Sequence, residues 1–290
     1  MSKPRALALP PGTRAYRLRT ARQEFAALDA RPQDAALGTV LLVPGYTGSK
    51  EDFLALLEPL AVAGYRAVAV DGRGQYESPG PRHRAGYTQR ELAQDVLAQA
   101  AALGDGPVHL LGHSFGGLVA RAAVRLDPSP FRTLTLLSSG PGRVAAPQRA
   151  RLLALRAALP VMRKEWVWAA MRWLDSRGDA AAESNDPADV LEFLERRWLG
   201  TESMQLRATG RCLRREPDRT AAVAALPVPL HIAYGDLETV WPSAELSAMA
   251  LGTGAHHTVI EGAEHSPNVS HPEVLTAALV EFWAKGALDG

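Results

Sequence analysis

The sequence of 290 residues contains a single cysteine, Cys212, and has almost no excess of charge of either sign. One cysteine excludes an intrachain disulfide and a multi-cysteine metal site, and it favours a reducing compartment, so the cytoplasm is the expected location. The 32 Lys and Arg residues against 31 Asp and Glu residues give a net charge of +1. This balance argues against nucleic acid or an anionic membrane as the partner.

Long hydrophobic runs are also missing. The N-terminal stretch MSKPRALALPPG has no apolar run beyond four residues, whereas a signal peptide needs about 7 to 15 and a membrane span roughly 18. We therefore expect neither. With 47% hydrophobic residues, 22% charged residues and a mean hydropathy of -0.10, the composition is typical of a soluble globular chain. The length allows one large domain or a core with an insertion.

Buried-strand patterns alternate with helical patterns along most of the chain. We predict strands over residues 39–43, 66–70, 108–111, 133–137, 230–234 and 256–260, and helices over 52–63, 92–103, 116–126, 244–250 and 272–283. This alternation predicts an α/β fold, with a mostly parallel central sheet and helices on both faces.

The alternation stops between residues 141 and 226, where no strand pattern is found. This segment predicts several helices, with breaks at Pro160, Gly178, Pro187, Gly200 and Pro217. We therefore predict a core domain of residues 1–140 and 227–290 that carries a helical insertion of residues 141–226.

A Gly-x-Ser-x-Gly pattern with Ser114 at its centre joins a predicted strand to a predicted helix. The bare pattern also occurs by chance, so its position carries the specificity. A serine on a sharp strand-to-helix turn needs small neighbours such as Gly112 and Gly116, because the strained backbone passes close to adjacent elements. The helix N-terminus also stabilises developing negative charge. We interpret Ser114 as a nucleophile; the alternative is a glycine-rich strand end with a capping serine.

The strand, the turn, the following helix and the later insertion resemble the α/β-hydrolase family from about residue 39 to residue 283. The resemblance implies an α/β-hydrolase fold in which the insertion is a cap. It also implies a catalytic triad in the chain order Ser, acid, His. Its motifs specify the fold and the catalytic machinery well and the substrate poorly.

The resemblance places the acid after the predicted strand 230–234, where two carboxylates occur. The family has a run similar to Gly-x-x-acid-x-x-x-Pro there, and aligning Gly235 and Pro242 with it puts Glu238 at the acid. Aspartate is the commoner acid in this family, and Asp236 follows Gly235 directly. Glu238 is our assignment, and Asp236 is the alternative.

The base is expected among the histidines that follow the acid, which are His256, His257, His265 and His271. His265 lies in the loop after the last predicted strand, where the family's base resides, and we assign it as the base. We interpret His113 as a packing residue or a pocket wall, because adjacent residues on such a turn point apart.

The resemblance also implies an oxyanion hole made by the backbone N–H groups of Tyr46 and Phe115. Tyr46 lies in the loop after the first predicted strand, where the family often has His-Gly and this sequence has Pro44-Gly45. The alternative for this loop is a glycine-rich turn between a strand and a helix.

Tryptophan and methionine are concentrated in the insertion, where Met162, Trp166, Ala169 and Trp173 fall at helical spacing. This apolar stripe either packs on the core or lines an apolar pocket. The candidate substrate-binding residues are Met162, Trp166, Trp173 and Trp241. The insertion has 15 Lys and Arg against 11 Asp and Glu; we interpret Arg211, Arg214 and Arg215 as solvated surface, with contact to an anionic substrate group as the alternative.

Together these residues predict a serine hydrolase that cleaves an ester, thioester or related acyl bond of a small, fairly apolar molecule through an acyl-enzyme. This chemistry needs no metal and no other cofactor, and the expected partner is the small-molecule substrate. The same triad supports hydrolysis of amide or carbon–carbon bonds and acyl transfer. An idle fold that serves as a receptor or scaffold is a further alternative. The sequence carries no signal for the oligomeric state.

Overall fold

The computed structural model describes residues 2–175 and 187–286. At its centre is a sheet of eight strands: β1 (Thr13–Arg19), β2 (Glu24–Ala30), β3 (Gly38–Val43), β4 (Tyr65–Val70), β5 (Val108–His113), β6 (Phe131–Leu137), β7 (Leu230–Gly235) and β8 (His256–Ile260). They are ordered β1-β2-β4-β3-β5-β6-β7-β8. The pairs β1–β2 and β2–β4 are antiparallel, and every later pair is parallel. The predicted α/β class with a mostly parallel sheet is confirmed.

Helices cover both faces of this sheet. Within the described residues they are α1 (Leu54–Val62), α2 (Gln89–Leu103), α3 (Phe115–Leu126), α4 (Ala146–Ala158), α5 (Lys164–Asp175), α6 (Ala188–Gly200), α7 (Ser203–Arg215), α8 (Thr220–Ala224), α9 (Ser243–Thr253), α10 (Pro267–Ser270) and α11 (Pro272–Gly286). Single turns of 3-10 helix lie at Lys50–Phe53 and Arg84–Tyr87. The predicted helix 52–63 therefore begins as a 3-10 turn.

The buried strands alternate between two hydrophobic layers. Leu41 and Val43 belong to a cluster that includes side chains of α2, α3 and α9, whereas Val40 and Leu42 belong to a second cluster with α1 and α11. Because side chains of a strand point alternately to its two faces, a continuous apolar run such as β3 is what a sheet covered on both faces requires.

Helices α4 to α8, which we call the cap, lie between β6 and β7 in the chain. Within the described part of residues 141–226 there is no strand. The predicted breaks at Pro160, Pro187, Gly200 and Pro217 fall between helices or at their ends, while Gly178 lies outside the described residues. The cap has its own buried cluster, which includes Trp168, Phe193 and Trp198 and contacts Tyr46 and Tyr76 of the sheet loops.

A buried ion pair joins the cap to the core. Arg197 of α6 donates to a carboxylate oxygen of Asp52 at 2.6 Å and to the carbonyl oxygen of Ser2 at 2.7 Å. Asn268 donates to the carbonyl oxygen of the same Asp52 at 2.7 Å. Burial raises the pKa of Asp52 to about 6, against the opposing effect of Arg197. Asp52 therefore connects the cap, the loop after β3 and the segment that follows β8.

The first two strands lie in the N-terminal stretch, where we predicted no element. β1 is mostly exposed or partly buried, with Leu18 buried, whereas β2 is buried from Phe25 to Ala30. Of the helices in residues 2–175 and 187–286, none combines the length and the apolarity that crossing a membrane requires.

Candidate active site

Ser114 lies at the turn between β5 and α3, at the carboxyl edge of the sheet. Its backbone angles, φ 54° and ψ −120°, fall in a region that a residue with a side chain rarely adopts and that is found at strained functional turns. Two glycines make the turn possible. A Cβ on Gly112 would come within 2.5 Å of the carbonyl oxygen of Gly116, and a Cβ on Gly116 would overlap the carbonyl oxygen of Val43. The turn therefore needs glycine at both positions.

Three side chains form a continuous hydrogen-bonded series at this turn. Nε2 of His265 is 2.9 Å from Oγ of Ser114, and Nδ1 of His265 is 2.7 Å from a carboxylate oxygen of Glu238. The second carboxylate oxygen of Glu238 accepts the backbone N–H of Val240 at 2.6 Å. Glu238 is only 4% exposed, so its charge is held in a region of low dielectric, where its attraction to a protonated His265 is strengthened.

The sheet brings these residues together because the carboxyl ends of parallel strands meet at one edge. Glu238 follows the end of β7, and His265 follows the end of the neighbouring β8. The two loops are bonded to each other, since Leu237 donates its backbone N–H to the carbonyl oxygen of Ala263 at 3.0 Å. Asp236, the alternative acid, is exposed and donates its backbone N–H to Ile260 at 3.2 Å. The structure thus brings Glu238, rather than Asp236, to the imidazole.

His113 is hydrogen-bonded to the backbone of His265. Its Nε2 is 2.8 Å from the carbonyl oxygen of His265, and because a carbonyl only accepts, this nitrogen carries the proton. Burial, with help from the neighbouring His265, lowers the pKa of His113 to about 3, so the ring is neutral. His113, which we interpreted as a packing residue, therefore also positions the backbone of His265, and no sequence pattern indicated this contact.

The loop after β3 lies directly against Ser114. A Cβ on Gly45 would be 3.3 Å from Cβ of Ser114. Gln75 donates from Nε2 to the carbonyl oxygen of Gly45 at 2.7 Å. In a trans peptide the N–H points away from the C=O, so this bond directs the N–H of Tyr46 away from Gln75. Gln75 was missed as a site residue, because it acts through a backbone carbonyl oxygen, and no sequence motif indicates such a contact.

Tyr46 is fixed from the cap side as well. Its hydroxyl donates to the carbonyl oxygen of Leu206 at 2.8 Å, and Gln205 donates from Nε2 to the carbonyl oxygen of Tyr46 at 3.3 Å. Phe115, the other expected oxyanion residue, is the first residue of α3, where backbone N–H groups have no partner within the helix. Both amides therefore lie on elements that are fixed next to Ser114.

Three of the four candidate substrate-binding residues are exposed, and the fourth, Trp241, is buried near His265. Trp166 and Trp173 of α5 are 61% and 52% exposed, because α5 buries its adjacent face with Val167 and Trp168, and Met162, just before α5, is 39% exposed. The predicted stripe is thus the outer face of the cap. Trp241 is fully buried, donates from Nε1 to the carbonyl oxygen of Gly142 at 2.9 Å, and has its ring centre 6.3 Å from that of His265. Trp241 therefore packs beside the ring of His265.

Comparison with known proteins gives relatives along most of the chain. A model of the alpha/beta hydrolase fold family matches residues 38–170. The chain is 30% identical to a non-heme chloroperoxidase of Streptomyces lividans, over 76% of this chain and 82% of that protein. It is 29% identical to a pimeloyl-[acyl-carrier protein] methyl ester esterase of Edwardsiella ictaluri, over 84% of this chain and 92% of that protein.

Solved structures share the fold at lower identity. A thermophilic esterase from Thermogutta terrifontis superimposes with a TM-score of 0.74 and 22% identity, over 94% of this chain and 99% of that chain. At this identity the likeness concerns the fold alone.

Proposed function

Because this chain belongs to the α/β-hydrolase fold family and is a hydrolase, we propose that it is a serine hydrolase that cleaves a carboxylic ester or a related acyl bond through an acyl-enzyme. The observation that carries the proposal is the series Ser114, His265 and Glu238, joined at 2.9 Å and 2.7 Å. Residues 1–140 and 227–290 would then form the catalytic core and residues 141–226 the cap.

The first half of the reaction forms the acyl-enzyme. His265 accepts the hydroxyl proton of Ser114 at Nε2 while Oγ attacks the ester carbonyl carbon, and the carbonyl oxygen becomes an oxyanion. The N–H groups of Tyr46 and Phe115 stabilise this charge, and one such donor is typically worth about a hundred- to thousandfold in rate. The carbon–oxygen bond to the alcohol then breaks, and His265 returns the proton to the leaving alcohol.

The second half reverses these roles with water. His265 takes a proton from water, the hydroxide attacks the acyl carbonyl, and the released Ser114 oxygen regains its proton as the carboxylic acid leaves. Glu238 keeps the Nδ1 proton in place, so that Nε2 is the free acceptor, and it stabilises the imidazolium in both halves. Each group returns to its starting state.

An ester with an apolar portion fits the surroundings best. The buried cap cluster around Trp168 and Trp198 packs against the partly buried Tyr46 and Tyr76, so the side chains next to the proposed oxyanion loop on this side are apolar. The named activity of the Edwardsiella ictaluri relative, a methyl ester esterase, supports an ester over an amide. The lone cysteine, Cys212, favours a reducing compartment, the cytoplasm.

Labelling with a fluorophosphonate probe tests this proposal. We expect covalent labelling of the wild type, none of the Ser114→Ala variant, and full labelling of the Ser129→Ala variant, which changes an exposed serine. Labelled protein should also lose hydrolysis of p-nitrophenyl esters, measured over acyl chains of two to ten carbons. Absence of a Ser114-dependent adduct would overturn the proposal and favour a receptor or scaffold; a preference for the shortest acyl group would contradict the apolar site.

A further inference from the structure

The cap carries an uncompensated cationic surface on two of its helices. Helices α4 and α7 pack against each other and contain no Asp or Glu. They contain seven arginines, which are Arg149, Arg151, Arg156, Arg207, Arg211, Arg214 and Arg215. The acidic residues of the insertion lie outside these two helices, so the near balance of charge over the whole chain conceals a local excess.

Two of these arginines have buried N–H groups that no described protein atom accepts. Nε of Arg207, and Nε and Nη2 of Arg214, are shielded from solvent and have no hydrogen-bond partner within residues 2–175 and 187–286. Burial lowers the pKa of Arg214, and the charges of Arg156, Arg215 and Arg211 lower it further. Both arginines are partly exposed, but N–H groups that are shielded from water and have no acceptor are costly, and an anion that reaches them would stabilise them.

These two arginines flank the point where the cap meets the proposed oxyanion loop. Gly210 of α7 lies between them, three residues after Arg207 and four before Arg214, so all three share one side of the helix. A Cβ on Gly210 would be 3.1 Å from the hydroxyl of Tyr46. Arg214 is close enough to act on this hydroxyl: burial raises the pKa of Tyr46, and the charge of Arg214 opposes the rise. Helix α7 therefore brings Arg214, and Arg207 on the same side of the helix, to the part of the cap that contacts Tyr46.

We propose that Arg207 and Arg214 form a subsite for an anionic group, a carboxylate or a phosphate, at the far end of the substrate. The inference rests on the proposed function, because it extends the site of Ser114 toward the cap. Guanidinium groups bind both anions through paired N–H donors. A small ligand fits better than the flat surface of an acidic protein, because such a surface would meet the exposed Arg156, Arg211 and Arg215 first.

Equilibrium binding tests the subsite without requiring turnover. Hexanoate, pentyl phosphate and the neutral hexanamide are titrated by calorimetry into the Ser114→Ala protein. We expect one or both anions to bind, and to bind at least tenfold more weakly when Arg207→Gln and Arg214→Gln are added together. The matched control is Arg90→Gln, an exposed arginine on α2, which should leave binding unchanged. The anion that binds more tightly shows whether the subsite prefers a carboxylate or a phosphate.

Four results would overturn the subsite: no binding of either anion, equal binding of hexanamide, unchanged binding in the double variant, or loss of binding only in the Arg156→Gln, Arg211→Gln, Arg215→Gln triple variant. The last result would point to an acidic macromolecule on the exposed surface. Thermal unfolding checks that each protein is folded. If the double variant does not fold, the two single variants and Arg214→Lys replace it. Arg214→Lys keeps the charge but loses the paired donors, so it should bind with intermediate affinity.

Kinetics separates failure of the subsite from failure of the proposed function. The ratio of kcat/KM for monomethyl adipate to kcat/KM for methyl hexanoate should exceed one in the wild type. In the double variant it should fall about tenfold or more through KM, and it should be unchanged in Arg90→Gln. A ratio near one with Ser114 still labelled by fluorophosphonate would overturn the subsite alone. Absence of labelling would overturn the proposed function, and the calorimetry would still decide the anion site.

Discussion

Replacing Glu238 by Gln tests the acid of the proposed triad. The carboxylate lies 2.7 Å from Nδ1 of His265, so its charge would be about 4 Å from the centre of the imidazolium that forms when His265 takes the serine proton. At an effective dielectric constant of about 20 this attraction is worth about 4 kcal/mol, or about a thousandfold in rate. The amide of Gln can also select the wrong tautomer, which in another serine hydrolase costs about 10⁴ in kcat. We expect kcat to fall by about 10³ to 10⁴.

Asp236→Asn is the matched control, two residues away. Asp236 is exposed, and we expect kcat to stay within about twofold of the wild type, as for other exposed charges. Steady-state hydrolysis of p-nitrophenyl butyrate gives kcat, and urea unfolding checks that both variants are folded. The reasoning is refuted if the Glu238→Gln variant keeps more than a tenth of wild-type kcat, or if the Asp236→Asn variant shows the large loss instead.

Three further predictions concern the scaffold, and urea unfolding measures each of them. Gly112→Ala should lower the free energy of unfolding by about 1 to 3 kcal/mol and remove fluorophosphonate labelling, because the added methyl would meet a backbone carbonyl at 2.5 Å. Gly252→Ala, at an exposed position near the end of α9, should change it by less than about 1 kcal/mol, because its methyl would meet only the side chain of Thr220, at 3.2 Å. Equal losses in the two variants would contradict this. Arg197→Met should lower the free energy of unfolding by about 3 to 5 kcal/mol, because it leaves the buried carboxylate of Asp52 without its cation. Replacing the exposed neighbour, Arg196→Met, should lower it by only about 0 to 1 kcal/mol. Equal losses would refute a stabilising role of the Arg197–Asp52 pair. Burial lowers the pKa of His231 to about 3 from its ordinary 6.5, so the unfolded chain takes up a proton below pH 6.5 that the native state does not, and stability is lost as pH falls. Between pH 7.5 and 5.5 the His231→Gln variant should lose about 1.3 kcal/mol less than the wild type; equal losses would show that the ring is not held neutral.

The later part of the sheet could be predicted from the sequence because most of its strands are short runs rich in apolar and β-branched residues, separated by helical patterns. β3 to β8 begin and end within about two residues of the predicted strands. β2 could not be predicted, since Glu24–Ala30 contains Ala, Leu and Glu, which favour helices in isolation. Pairing with β1 and β4 makes it a strand, and no local pattern carries that information.

Helical spacing predicted that one face of α5 is apolar but not which way that face turns. The exposed Trp166 and the buried Trp168 are equally apolar in sequence, and only the packing of Trp168 against Trp198 in α6 distinguishes them. The choice between Asp236 and Glu238 likewise depends on the direction of each side chain in a loop. His113 and Gln75 act through backbone carbonyl groups, and no sequence motif records such contacts.

Asp52 has a consequence for exchanging caps between relatives. Arg197 of α6 pairs with Asp52, and Asn268 donates to the same residue, so replacing the segment that contains α6 would also remove a partner of the core. A chimera whose new segment has no arginine at the position of Arg197 would leave the Asp52 carboxylate buried without a cation, next to the loop that carries His265. Under the proposed function, changing individual side chains of the proposed cap would therefore alter substrate range with less disturbance than transplanting it, unless position 52 is redesigned together with it.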